Sequence, residues 1–306
     1  MRILIAEDDF TSRTMLAAIV KKWGYEPVLA VEGESALEAL VGDDAPKLAL
    51  LDWTMPGMDG LEVCRRLRQL PTSAPPYIIF LTSRGDKDCI VEALESGAND
   101  YVIKPYDNAE LRARIRVGQR MIEMQTAMNE AKEAVLHEAM HDPLTGIFNR
   151  RAILDVLRKE IARSDRSGIP FSIGLCDIDR FKRVNDRYGH QTGDDVLCGF
   201  VHAVESALRA YDRIGRYGGE EFLVVAPDSS GEGAERVFER VRESVALKGI
   251  ETRSGLVPVT VSIGVVSGRG DSDMDALLAA ADDALYRAKN TGRNRVVCLG
   301  EISGGV

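Results

Sequence analysis

The sequence predicts an α/β protein built from a five-stranded, doubly wound parallel sheet, a helical linker and a second α/β unit. Short apolar runs alternate with helical segments through the first hundred residues. A stripe of apolar residues at heptad spacing follows, and a second alternation of strands and helices comes after it. The 306 residues suit two domains. We expect the three parts to cover 1–117, 118–140 and 141–306.

The first unit contains five apolar runs that are too short for helices, as in parallel strands buried on both faces. After the first run, apolar residues from Thr11 to Trp23 have helical spacing, and Gly24 ends that helix. A second helix is predicted from Gly33 to Leu40. The predicted strands cover 3–6, 27–30, 48–51, 78–81 and 101–103.

Polar residues follow four of these strands, at the edge where such a sheet collects its functional groups. Converging carboxylates repel each other unless a cation lies among them, and oxygen ligands suit Mg²⁺. A hydroxyl and an ammonium could contact a phosphoryl group placed on the central carboxylate. The residues are Glu7, Asp8, Asp52, Thr82 and Lys104.

This segment resembles the response-regulator receiver domain in four places. These are the acidic residues at 7–9, Asp52 with the Met-Pro-Gly-Met-Asp-Gly segment at 55–60, the Leu-Thr-Ser segment at 81–83 and the Lys-Pro pair at 104–105. The resemblance implies that Asp52 accepts a phosphoryl group from a sensor histidine kinase. It also implies that Glu7, Asp8 and Asp52 hold Mg²⁺ or Mn²⁺, although Asp9 could replace Glu7. Thr82 and Lys104 would sense the phosphoryl state, and Tyr101 stands at the position of the family's switching aromatic residue.

The predicted linker belongs to a helix from Leu111 to Met140 that lacks proline. Six apolar residues recur at spacings of four and three, which is typical of a coiled coil. Methionine makes such a seam adaptable. We expect this helix to dimerise the chain and to transmit the state of the receiver. The stripe comprises Val117, Met121, Met124, Met128, Ala131 and Val135.

The second unit carries two carboxylates at a glycine-rich hairpin turn, 218–222, beside a strand predicted at 171–176. The glycines allow a substrate to approach the backbone closely. Asp177 and Glu220 could share a divalent cation, with the carbonyl of Ile178 as a further ligand. A helix is predicted from Val196 to Leu208.

These residues resemble the GGDEF diguanylate cyclase domain in its Gly-Gly-Glu-Glu-Phe form, which implies a nucleotidyl-cyclase fold of the polymerase-palm type. The implied reaction joins two GTP into cyclic di-GMP and two pyrophosphates. Asp177, the Ile178 carbonyl and Glu220 would bind Mg²⁺, and Glu221 would be a second-metal ligand or assist deprotonation of the 3′-hydroxyl. The implied substrate contacts are Asn185 and Asp194 for guanine, and Phe181, Lys182, Lys289 and Arg293 for the phosphates.

Arg209 and Asp212 match the family's product-inhibition site, and Arg240 is its expected second arginine. A guanidinium can bind guanine or phosphate while the aspartate binds the guanine edge. Because each cyclase domain holds one GTP and the product joins two, we expect a homodimer, with higher oligomers possible.

Composition excludes several other classes. The net charge of −9 opposes nucleic-acid binding. The sequence shows neither a signal peptide nor an apolar run of the roughly 18 residues that a membrane span needs, so we expect a cytoplasmic protein. Five scattered cysteines are expected to be reduced. The alternatives are a non-catalytic sensor of GTP or cyclic di-GMP, a cyclase making a mixed dinucleotide, and a DNA-binding regulator.

Overall fold

A computed structural model describes residues 1–42, 44–72, 74–83 and 87–302, with the backbone alone at 87–90, 248 and 301–302. The chain divides into two compact units, Met1–Glu133 and Ala134–Val306. The side chain of Cys89 lies outside the described residues, and the other four cysteines are free.

The first unit alternates strands and helices, as predicted. Its strands lie in the order β2-β1-β3-β4-β5, and every neighbouring pair is parallel. The predicted five-stranded doubly wound fold is therefore confirmed. The elements are β1 (Arg2–Ala6), α1 (Phe10–Lys22), β2 (Glu26–Ala30), α2 (Gly33–Val41), β3 (Leu48–Asp52), α3 (Gly60–Gln69), β4 (Tyr77–Thr82), α4 (Lys87–Glu95), β5 (Asp100–Ile103) and α5 (Asn108–Met140).

Helices cover both faces of this sheet because its central strands are apolar on both sides. Leu4 points to a core shared with α2 and α3, whereas Ile3 and Ile5 point to a core shared with α1 and the start of α5. Gly118 of α5 lies against Tyr77 of β4, so α5 packs on the sheet at least as far as this glycine.

The second unit contains a five-stranded sheet of order β12-β11-β6-β8-β7. Among the described strands of this sheet, β11 and β12 form the one parallel pair. Its elements are α6 (Arg150–Ser167), β6 (Phe171–Ile178), α7 (Phe181–Tyr188), α8 (His190–Ala207), β7 (Arg213–Arg216), β8 (Glu221–Pro227), α9 (Gly231–Lys248), β9 (Ile250–Thr252), β10 (Gly255–Val257), β11 (Val261–Gly268), α10 (Met274–Asn290) and β12 (Val296–Ile302).

Two of the predicted element bounds in this unit were wrong. Strand β6 continues through Ile178, because its pairing with β8 and β11 extends to the carboxylate-bearing end. Helix α8 begins at His190 rather than Val196, so Asp194 lies on the helix. The break before it is a single residue, Gly189, whose φ of 84° ends α7.

Both faces of the second sheet are also covered. Cys176 and Ile178 of β6 belong to a core with α7, α8 and α9, whereas Ile173 and Leu175 belong to a core with α6 and α10. The end of β6 therefore lies close to α7 and α8, which carry candidate substrate residues. Among the described residues, no helix is long and apolar enough to cross a membrane.

Candidate functional site

Three carboxylates converge at the carboxyl edge of the first sheet. One oxygen each of Glu7, Asp8 and Asp52 lies within 4.8 Å of the others. Asp52 ends β3, and the close packing of Gly60 fixes the adjoining loop, because a Cβ on this glycine would stand 2.3 Å from the Asp52 carbonyl oxygen. These oxygen donors fit a small divalent cation.

Asp9 has a different role. Its side chain accepts a hydrogen bond from the amide of Ser12 and caps α1, as the helix register suggests. Of the two assignments that the sequence left open, this geometry supports Glu7 with Asp8.

Lys104 joins two of the three carboxylates. Its Nζ lies 2.7 Å from Glu7 Oε2 and 3.0 Å from Asp52 Oδ2. Burial raises the pKa of Glu7 despite this ammonium, and the Asp52 charge raises it further. Burial opposes the charge on Lys104, but hydrogen bonds to Glu7 and Asp52 hold its pKa above the ordinary value. The carboxylates of Glu7 and Asp52 thus both lie against the Lys104 ammonium.

The other two predicted sensing residues lie on neighbouring strands. Thr82 ends β4 and is 2% exposed. Tyr101 lies on β5, with the Arg114 guanidinium 5.7 Å from its ring centre. Arg114 also forms an ion pair with Asp100, so the ring has a charged and ordered neighbour.

The second candidate site lies where β6 meets β8. Asp177 is paired in register with Glu221, and the Ile178 amide donates to the Glu220 carbonyl at 3.4 Å. Burial raises the pKa of Asp177 and of Glu220, and the neighbouring carboxylates add to both shifts. The three acidic groups therefore interact electrostatically at one edge, and their carboxylate oxygens are hard donors of the kind that Mg²⁺ prefers.

Lys289 lies beside this acidic cluster. The sequence assigns it to the triphosphate, and in the structure its Nζ lies 2.7 Å from Asp177 Oδ2. The ammonium offsets the negative charge of the neighbouring carboxylates. Lys289 on α10 and Asp177 on β6 thus belong to one cluster.

The hairpin turn is held by Arg216, which the sequence prediction did not include. Its Nε and one terminal nitrogen donate to the Gly219 carbonyl at 3.1 and 2.8 Å. Its other terminal nitrogen bonds both oxygens of Asp142 at 3.1 Å. Asp142 also accepts from Thr145, so the hairpin turn is connected to the first loop of the second unit.

The two predicted guanine contacts belong to adjacent helices. Asn185 lies on α7, and a Cβ on Gly193 of α8 would stand 1.9 Å from its Oδ1. Asp194 is the next residue and is exposed. The absence of a side chain at Gly193 therefore leaves space for the Asn185 amide next to the helix turn that carries Asp194.

The predicted phosphate contacts are distributed around the first turn of α7. The Phe181 side chain is buried in the core, so it offers only its backbone, whereas Lys182 is exposed. Arg293 lines a cavity of about 520 Å³ with Arg180 and Arg183, on another face of α7 from Asn185.

A separate cavity of about 310 Å³ contains the predicted product site. Arg209 and Asp212 line it together with His141. Asp212 is 6% exposed; one oxygen accepts from the Arg209 amide at 2.8 Å, and Oδ1 has no hydrogen-bond partner among the described residues. Arg240 donates to the Ala207 carbonyl, and its charge acts on Asp212.

The fold and sites define a two-part signalling protein with a phospho-acceptor-type sheet edge and a nucleotidyl-cyclase-type unit. Residues 3–116 match the response regulator receiver domain, and residues 139–295 match the family described as diguanylate cyclase, GGDEF domain. The chain belongs to the GGDEF family and carries an N-terminal receiver domain.

Two relatives and one solved structure illustrate the similarity. Response regulator PleD of Caulobacter vibrioides is 33% identical over 299 residues, which cover 97% of this chain and 65% of PleD. Diguanylate cyclase DgcM of Escherichia coli is 42% identical over 56% of this chain and 41% of DgcM.

The crystal structure of the coiled coil and GGDEF domain of DgcB from Caulobacter crescentus, in complex with c-di-GMP, covers 62% of this chain and 99% of DgcB's crystallised chain. It has 30% sequence identity and a TM-score of 0.56. The chain thus spans less than two thirds of the length of both curated relatives.

Proposed function

We propose that the chain is a diguanylate cyclase that condenses two GTP into cyclic di-GMP and two pyrophosphates. The observation that carries this proposal is the pairing of Asp177 with Glu221 beside the Gly218-Gly219 turn, with Lys289 in the same cluster. The names of the curated relatives support it, since DgcM is a diguanylate cyclase and PleD a response regulator.

Each half-reaction forms one bond and breaks one. The 3′-oxygen of one GTP attacks the α-phosphorus of the other, the α–β phosphoanhydride bond breaks, and pyrophosphate leaves. Glu221 takes the hydroxyl proton or helps to hold a second metal. Mg²⁺ or Mn²⁺ bound by Asp177, Glu220 and the Ile178 carbonyl would offset charge on the transferred phosphoryl group. Lys289 and Arg293 bind the triphosphate, and Asn185 and Asp194 bind guanine.

The reaction requires two active sites to face each other, so the functional form is a homodimer or a higher oligomer of even number. The apolar stripe of α5 provides the contact, since Val117, Met121, Met124, Met128 and Val135 are 40–69% exposed. Phosphorylation of Asp52 by a sensor histidine kinase favours the productive arrangement.

Product inhibition acts through the cavity lined by Arg209 and Asp212. A guanine edge offers N–H donors for Asp212 Oδ1, which has no hydrogen-bond partner among the described residues, and the Arg209 guanidinium binds phosphate or guanine oxygen. Desolvation of an unpaired carboxylate oxygen is costly, so a ligand that donates to it gains affinity.

The test is incubation of the full chain with Mg²⁺ and either GTP alone or an equimolar mixture of GTP and ATP, with products identified by mass spectrometry. We expect cyclic di-GMP and pyrophosphate from the wild-type chain. Glu221→Gln should lower turnover by at least about a hundredfold without changing the circular dichroism spectrum. A mixed dinucleotide, or binding of GTP without turnover, would contradict the proposal.

A further inference from the structure

The loop after α10 has an unusual backbone. Gly292, Arg293 and Asn294 all have positive φ, at 125°, 61° and 46°. Non-glycine residues hold such conformations only where the surrounding structure fixes them. Because Arg293 is a proposed triphosphate contact, the group that fixes this loop also sets where its guanidinium lies.

Asp179 holds the loop from the end of β6, alongside two other contacts. The Arg293 amide donates to the Ala288 carbonyl and Arg242 donates to Asn294 Oδ1, both at 3.0 Å. Asp179 directly follows β6, is 8% exposed, and its Oδ2 accepts a hydrogen bond from the Asn294 amide at 3.0 Å. The hydroxyl of Thr260 donates to the same oxygen at 2.6 Å, and the hydroxyl of Ser262 donates to Oδ1 at 2.7 Å. The carboxylate therefore connects the loop to the ends of both β6 and β11.

We propose that Asp179 is a positioning residue that holds the 292–294 loop so that Arg293 meets the triphosphate. The inference rests on the proposed function. Asp179 is two residues from Asp177, whose carboxylate bonds Lys289, so the same strand end controls both cationic phosphate contacts. Lys289 is held by its ion pair with Asp177, whereas Arg293 is held through the backbone of the loop that Asp179 binds.

The contacts distinguish this role from that of a metal ligand or a proton acceptor. The two oxygens of Asp179 together accept hydrogen bonds from three donors within the fold, two at Oδ2 and one at Oδ1. An asparagine could keep its oxygen toward Asn294 and Thr260 while its amide donates to the Ser262 hydroxyl, because hydroxyls also accept. A positioning role thus tolerates Asp179→Asn, whereas a ligand or base would be lost.

The first experiment measures amide hydrogen exchange in the segment 291–295 of the full chain, without nucleotide. In Asp179→Ala the Asn294 amide loses its acceptor, so we expect exchange about tenfold faster than in the wild type. Asp179→Asn should exchange at nearly the wild-type rate. Unchanged exchange in the alanine variant, or equal acceleration in both variants, would overturn the proposal.

The second experiment separates KM from kcat for GTP. Asp179→Ala should raise KM about tenfold through misplacement of Arg293, with a smaller change in kcat. Arg293→Ala should raise KM similarly, and the double variant should be no worse than Arg293→Ala alone. Additive effects, or faster exchange with an unchanged KM, would overturn the positioning role.

Two further variants keep the test decisive. Ser172→Ala is the control: like Ser262→Ala, it removes a buried, hydrogen-bonded hydroxyl, here one bonded to Ser229 and Ser267 at the other end of β6. This variant should leave the KM for GTP unchanged. If Asp179→Ala does not fold, Ser262→Ala removes one anchor and should give a smaller acceleration of exchange. If the wild-type chain consumes no GTP, the proposed function fails while the exchange result still judges the loop contact.

Discussion

At the scale of single residues, Asp212 shows how a structure adds to a motif. The sequence pairs Arg209 with Asp212 by spacing alone. The structure shows that their bond runs from the Arg209 backbone amide, which leaves one carboxylate oxygen unpartnered among the described residues, while the Arg209 guanidinium donates to the Tyr211 hydroxyl at 3.0 Å. Both groups line one cavity.

This geometry predicts the effect of Arg209→Ala on feedback. The variant should require at least about tenfold more added cyclic di-GMP for half-inhibition, because a charge-assisted contact is lost. Turnover without added product should stay near that of the wild type. Arg158→Ala, at an exposed ion pair on α6, is the matched control. Unchanged inhibition in Arg209→Ala would refute the assignment of this cavity.

The sequence predicted residues that a regular strand pattern brings together, but it did not predict contacts between residues far apart in the chain. Glu7, Asp8 and Asp52 were predicted to meet because parallel strands deliver their ends to one edge. Asp179 and Arg216 were missed, since each bonds a residue far along the chain: Asn294 is 115 residues from Asp179, and Asp142 is 74 residues from Arg216. The DID spacing at 177–179 is the signal that could have drawn attention to Asp179.

At the scale of elements, α10 lies directly on β11. A Cβ on Gly264 would stand 2.2 Å from both the Ala281 carbonyl oxygen and the Leu285 amide nitrogen. This close approach brings the helix that carries Lys289 against the central part of the second sheet. The segment 261–266 is rich in valine and isoleucine, which favour strands, but its pairing with β6 is not a local property.

The contact predicts that Gly264→Ala is destabilising. The methyl group has to displace helix backbone, so we expect a loss of about 1–3 kcal/mol in the free energy of unfolding. Urea unfolding followed by circular dichroism measures it. Gly300→Ala, on neighbouring β12 where a Cβ meets open space, is the control. Equal stability of the two variants would contradict the described packing.

The β9–β10 hairpin is tied to α8 by a charge pair. Arg253 bonds Asp195 through Nε at 2.7 Å and a terminal nitrogen at 2.9 Å, and these hydrogen bonds lower the pKa of Asp195 to about 2. A lowered carboxyl pKa contributes stability above the unfolded-state value, near 3.8, and this contribution disappears as the pH falls toward 2.

Asp195→Asn should therefore destabilise the chain at pH 6 and have a clearly smaller effect at pH 3. Urea midpoints of the wild type and the variant at both pH values provide the measurement. Asp271→Asn, at an exposed carboxylate with no ion pair among the described residues, should show no such trend. An effect of equal size at both pH values would argue against the pairing.

At the scale of the whole molecule, the exposed stripe of α5 predicts self-association. Burial of a methionine side chain is worth roughly 1.5–3 kcal/mol. Met124→Glu with Met128→Glu should thus weaken the dimer at least about tenfold in sedimentation equilibrium. GTP turnover per chain should fall at low concentration, where the variant is monomeric. Gln125→Glu with Asn129→Glu adds the same charge off the stripe and should leave association unchanged.

The most direct test of the central claim is the stoichiometry of the reaction, followed with and without an acyl-phosphate donor. We predict one cyclic di-GMP and two pyrophosphates for every two GTP consumed, with faster turnover after phosphorylation of the wild type but not of Asp52→Asn. Phosphorylated wild-type chain that consumes no GTP in the presence of Mg²⁺, or that releases pyrophosphate without forming the cyclic dinucleotide, would contradict this account.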